Sequence, residues 1–167
     1  MSKLGNDTLT ETRNHLINEI TLLSDAQFNW QPDRESWSIA QVCHHLVLVE
    51  EATIKAITWG LKAGEPTQTE RINVELLILD RTKKLIAPKI VEPDVKSFEM
   101  QQIFTLLNDS RKKLMTLLSS VDDKSILAKK SVKHPSLGEL PLDQWIEQIY
   151  LHEKRHIEQI KEIKGLL

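Results

Sequence analysis

The chain has a single cysteine, Cys43, which excludes an internal disulfide and points to a reducing compartment. Glycine is scarce too, at five residues, and strand-like alternation is rare. Apolar residues instead recur at helical spacing over long stretches, which favours an all-α fold. No charge of one sign dominates: 22 basic residues against 24 acidic ones leave a net charge of -2, and no Lys/Arg stripe is interleaved with aromatics. Nucleic acid is therefore not an expected partner. No hydrophobic run approaches the length of a membrane span, and the opening MSKLGNDTLT has no apolar signal-peptide core. The expectation is a cytoplasmic protein with no membrane partner. What is present is ordinary for a globular protein, 40% hydrophobic and 28% charged residues, and 167 residues suit one domain over 1–167.

Periodicity places four long helices. The first covers about residues 7–23, with Leu9, Leu16, Ile20 and Leu23 on one face, and the segment FNWQPDRES breaks it. The second starts at Ser38, where SIAQ offers an N-cap serine with a glutamine three residues on, and runs to about residue 62. These two are expected to form an antiparallel hairpin. A third covers about 97–121, and a fourth begins after Pro141 and ends near residue 164, closed by Gly165. The connection 63–96 holds an apolar run, NVELLILD, and the proline-marked segment APKIVEP, which reads as a short helix followed by an extended crossover. The architecture predicted is a four-helix bundle with a long crossover between helices two and three.

On the fourth helix Leu142, Trp145, Ile146, Ile149, Ile157, Ile160 and Ile163 define an apolar arc, and His152 and His156 fall inside its edge. Glu147, Lys154, Arg155, Glu158 and Glu162 lie opposite. A lone histidine on such an arc is more often a hydrogen-bonded core residue than a ligand. Two at i and i+4 stack on one face and reach one ion. A third ligand comes from the second helix, where His45 sits at the edge of the inner face formed by Ile39, Val42, Cys43, Leu46, Val49 and Thr53. His44 points outside that face and reads as solvated. His45 stands roughly 10 Å from the start of its helix and His156 roughly 12 Å from the end of the fourth. They come level only if helices two and four are antiparallel, which in turn requires helices two and three to be parallel.

Two carboxylates, Glu50 and Glu153, also lie on apolar arcs. Buried charge is costly unless paired. Each is read as orienting an imidazole, approaching the metal or accepting a proton, with an edge position reaching solvent or an arginine such as Arg111 as the alternative. His15 reads as exposed, His134 as part of the turn HPSLG, and Cys43 as a small apolar core residue.

Four pieces, NWQPDRESWSIAQVCHHL, APKIVEP, HPSLGELPLDQWI and HEKRHIEQI, occur in this order over nearly the whole chain. Together they resemble the DinB/YfiT-like superfamily of small bacterial four-helix-bundle proteins. The resemblance implies divalent-metal binding by the histidine eight positions after Trp37 and by the two histidines of the last helix, which are His45, His152 and His156. It also implies a homodimer and a small-molecule substrate. Relatives include transferases that use low-molecular-weight thiols, a thiol-dependent isomerase and proteins described as metal-dependent hydrolases. Three imidazoles leave a divalent ion an open position, as in catalytic zinc. The expected cofactor is zinc or nickel, with iron also compatible, and a low-molecular-weight thiol is an expected co-substrate. The competing expectation is a non-catalytic bundle whose ion clamps the second and fourth helices together.

Overall fold

A computed structural model of the chain describes residues 3–63, 66 and 69–167. Its four long helices are α1 (Lys3–Ile20), α3 (Ile39–Lys62), α5 (Met100–Ser119) and α7 (Leu142–Lys164), all within a few residues of expectation. Between them lie the short helices α2 (Asp25–Asn29), α4 (Val74–Leu79) and α6 (Ile126–Lys129), and a 3-10 turn at Lys89–Val91. Strands β1 (Ser131–His134) and β2 (Gly138–Pro141) form an antiparallel hairpin.

The caps explain two of the helix starts. Ser38 Oγ accepts from the Gln41 amide at 3.1 Å, and Gln41 Oε1 accepts from the Ser38 amide at 3.0 Å, closing the box predicted at SIAQ. The same box recurs at Ser24 and Gln27, where it starts α2 inside the stretch expected to be irregular. The sequence SDAQ carried that signal. The β1–β2 hairpin went unpredicted because two four-residue strands with few apolar positions give no readable alternation. Its turn needs Gly138, whose φ of 77° suits only glycine well.

Cross-helix pairs set the directions. His45 meets His152, Thr53 meets Gln148, and Gly60 lies against Leu142, so α3 and α7 are antiparallel. His44 packs on Phe98, just ahead of α5, and Glu51 pairs with Lys113, so α3 and α5 run parallel. The crossover topology holds as predicted. The hairpin expected of helices one and two does not form as a neighbouring pair. α1 instead lies along α7, with Arg13 on Glu153 and Lys164 on Glu19, and reaches α3 across the bundle centre through Arg13 and Glu50. The connection 21–38, with α2 inside it, is long enough to span that diagonal.

The core is divided. One apolar cluster holds Leu16, Ile20, Phe28, Ile39, Leu107 and Ile160, and a second holds Leu9, Ile57, Leu114, Leu118, Leu142 and Ile146. At the level between them each long helix contributes a charge: Arg13, Glu50, Arg111 and Glu153. No helix among the described residues is long and apolar enough to cross a membrane.

Candidate metal centre

The histidine cluster stands at the rim of the first apolar cluster, between α3 and α7. His45 Nε2 lies 3.2 Å from His152 Nε2, which lies 3.0 Å from His156 Nε2. Ligands of one tetrahedral ion bonded at about 2.0–2.1 Å would stand about 3.3 Å apart, close to this spacing. Among the described residues these are the three that group in this way. The i, i+4 spacing in α7 and the antiparallel register of α3 bring them together.

The far ring nitrogens explain why the Nε2 atoms face inward as acceptors. His45 Nδ1 donates to the Val91 carbonyl at 2.7 Å, and His156 Nδ1 donates to Gln159 Oε1 at 2.7 Å. Because these oxygens only accept, the proton sits on Nδ1 and Nε2 keeps a bare lone pair. Three imidazoles crowded this way match the donor set of a divalent cation. Burial holds all three below the ordinary histidine value. For His156 it lowers the pKa from 6.5 to about 3, helped by His45. His152 is pushed well down by burial and then by His156 and His45, while for His45 burial outweighs the opposing pull of the Val91 carbonyl.

Val91 and Gln159 were not anticipated by the sequence reading. Val91 is delivered by the 3-10 turn between Pro88 and Pro93, which gives APKIVEP a physical purpose. The crossover is fastened beside it, with Gln41 Nε2 donating to the Asp94 carbonyl at 3.2 Å and the Asp94 amide donating to His44 Nδ1 at 3.1 Å. His44, expected to be solvated, is thus half-buried and packed on Phe98, but it stays out of the cluster as expected. Trp37 folds back so that its ring lies 5.0 Å from that of His45. Arg155, assigned to the solvent face, is half-buried and donates to the carbonyls of Ile78, Asp80 and Lys83, pinning the start of the crossover beside His156.

Glu50 and Glu153 lie below the triad rather than on it. Arg111 Nε donates to Glu50 Oε1 at 2.7 Å and Arg111 Nη2 to Glu153 Oε2 at 2.8 Å. Arg13 Nη2 donates to Glu50 Oε2 at 2.6 Å and Arg13 Nε to Glu153 Oε1 at 2.5 Å. Arg111 is the partner that the sequence reading named as the alternative; Arg13 was missed, because an arginine on an amphipathic helix gives no sign that it is buried. Burial raises the Glu153 pKa, but Arg13 and Arg111 outweigh it and the net shift is downward. A carboxylate held ionised in this way is a poor proton acceptor. No hydrogen bond joins either carboxylate to a triad imidazole among the described residues.

The other histidines stand apart. His15 is exposed beside Glu19, and His134 accepts from the amides of Ser136 and Leu137 in the hairpin turn. Cys43 is fully buried, and burial pushes its thiol up to about 12.

A family model described as the DinB superfamily matches residues 8–160. The chain belongs to the DinB superfamily. It is 32% identical over 154 residues to the uncharacterized protein YuaE of Bacillus subtilis (strain 168), covering 92% of this chain and 93% of that one. Among solved structures it is similar to YfiT from Bacillus subtilis, described as a probable metal-dependent hydrolase with an unusual four-helix bundle topology. That match has a TM-score of 0.69 at 18% identity and covers 99% of this chain and 89% of that one. TT2238, described as a four-helix bundle protein, matches with a TM-score of 0.63 at 17% identity over 95% of this chain and 96% of that one. At these identities the structural likenesses establish a shared four-helix-bundle fold.

Proposed function

We propose that this DinB-superfamily chain is a metal-dependent enzyme in which His45, His152 and His156 bind one divalent ion and leave it open to a small-molecule substrate. The observation that carries this reading is the convergence of three Nε2 atoms on one point, two of them fixed as acceptors by Val91 and Gln159. A divalent ion bound there supplies Lewis acidity, ionising water or a thiol near neutral pH or polarising a carbonyl. The chain's residues do the rest. Burial keeps the imidazoles unprotonated, Val91 and Gln159 hold two tautomers, and Trp37 covers a face of His45.

Cys43 is unsuited as a nucleophile because its thiol is buried and held protonated. The nucleophile in this reading is exogenous, either water for hydrolysis or a low-molecular-weight thiol for S-transfer. The description of YfiT favours hydrolysis, and the wider resemblance favours the thiol. Zinc or nickel is the proposed ion, iron also suiting imidazole, and a homodimer is the proposed assembly.

The first test is elemental analysis of protein purified without a histidine tag, with about one divalent ion per chain expected. Loaded protein is then incubated with ester and amide substrates, and separately with glutathione, bacillithiol or mycothiol and a panel of electrophiles, against His156→Ala. Absence of metal sinks the reading. Metal without turnover, with a cobalt spectrum of a closed coordination sphere, transfers the ion to a structural role. The placement of His45 on α3 and of the pair on α7 supports that second reading, since one ion would then tie the two helices together.

A further inference from the structure

Two triad imidazoles have an acceptor for the ring nitrogen that faces away from the common point; for His152 Nδ1 no such partner is found among the described residues. If His152 Nε2 is to present a lone pair beside the other two, Nδ1 must carry the proton, and a proton there needs somewhere to go. His152 also lines a cavity of about 10 Å³, whose other walls include Arg13, Glu50, Arg111, Glu153 and Val49. That is room for a single water, in surroundings polar enough to hold one.

The hydrogen-bond inventory of the walls matches such a guest. Among the described residues Glu50 Oε1 accepts only from Arg111 Nε and Glu153 Oε1 only from Arg13 Nε, whereas each carboxylate oxygen has capacity for two donors. Two acceptor sites and one imidazole N–H donor therefore remain on the residues that line a space of one water. A water accepts from the N–H and has two hydrogens to give, so all three valences close. Three hydrogen bonds is the usual complement of a buried water.

We propose that one ordered water fills this cavity, accepting from His152 Nδ1–H and donating to Glu50 and Glu153, so that the buried ion-pair cluster positions the third imidazole of the triad. The cluster and the metal centre are then one device. Arg13 and Arg111 hold both carboxylates in place, the carboxylates orient the water, and the water fixes the tautomer and ring plane of His152. Glu50 and Glu153 are positioning residues here and touch neither metal nor substrate. The functional consequence rests on the metal reading above; the water itself does not.

High-resolution crystal structures of the metal-free and cobalt-loaded full chain are expected to show the water on His152 Nδ1 and both carboxylates. Val49→Ile places an additional methyl group at the cavity wall without altering a charge. It is expected to expel the water, weaken cobalt binding by about 10-fold or more and shift the cobalt visible absorption bands, with the circular dichroism spectrum unchanged. Glu153→Gln, which keeps the side chain's shape and an acceptor oxygen, is expected to shift the same bands by a smaller amount. A dry cavity, or a water that does not touch His152, overturns the inference whether or not Val49→Ile folds. So does a Val49→Ile structure with the cavity filled and cobalt affinity and spectrum unchanged. Failure of the native chain to bind cobalt would sink the metal reading alone, and the crystallographic water would still decide this one.

Discussion

His45 Nε2 and His152 Nε2, on residues 107 positions apart, lie 3.2 Å from each other, while His44, adjacent to His45, caps the backbone of Asp94 and takes no part. A one-residue change of phase on α3 would exchange these roles. Replacing His45, His152 or His156 with alanine is expected to empty the site of metal, and His44→Ala to leave it near one ion per chain. Inductively coupled plasma mass spectrometry on the four variants decides it. Metal lost from His44→Ala but retained by His45→Ala would reverse the assignment.

The metal-free protein is expected to lose stability as pH falls below about 6.5. His156 takes up a proton at about 6.5 when unfolded and at about 3 when folded, so between these values the unfolded chain binds more protons. Stability then rises with pH across that window, at about 1.4 kcal/mol per pH unit for each such histidine. His45 and His152 shift in the same direction, and Glu153, with its lowered pKa, adds a further loss in stronger acid. Urea denaturation in the presence of a chelator at pH 7.5 and pH 5 measures the effect; equal midpoints would count against neutral buried imidazoles.

Arg111→Ala is expected to destabilise the protein by about 3–5 kcal/mol, because Glu50 and Glu153 would each lose a partner in a layer closed to solvent. Replacing Arg13, Glu50, Arg111 and Glu153 together by methionine and leucine is expected to recover much of that loss, since desolvation of four charges is then avoided. Thermal denaturation of the two variants against the native chain tests this. A quadruple variant less stable than Arg111→Ala would mean that the cluster contributes net stability.

Cys43 is expected to react with a thiol reagent only when the protein unfolds. It has no exposed surface, and its thiol is held protonated to about 12. The rate of labelling by 5,5′-dithiobis(2-nitrobenzoic acid) should follow global unfolding as denaturant is raised. Rapid labelling under native conditions would show that α3 opens locally.

The helices and their inward faces were legible in the chain, because a 3.6-residue period records which side of an isolated helix is apolar whatever it later packs against. That is why His45 was separable from His44, and why HEKRHIEQI pointed to a shared ligand. The caps at Ser38 and Gly165 are local in the same sense. The partners of those faces could be read only from packing. Val91 orients His45 through a backbone carbonyl that any residue could supply, Gln159 orients His156 through a side-chain amide three positions on in α7, and Arg13 looks in the sequence like any arginine on a helix surface. The short β1–β2 strands pack against α3 and α7, where Trp145 Nε1 donates to the Val132 carbonyl. The diagonal placement of α1 follows from filling a core on both sides of one charged layer. Local periodicity is a property of neighbours along the chain, whereas the acceptor on His45 comes from a residue 46 positions away, and only the folded bundle brings it within 2.7 Å.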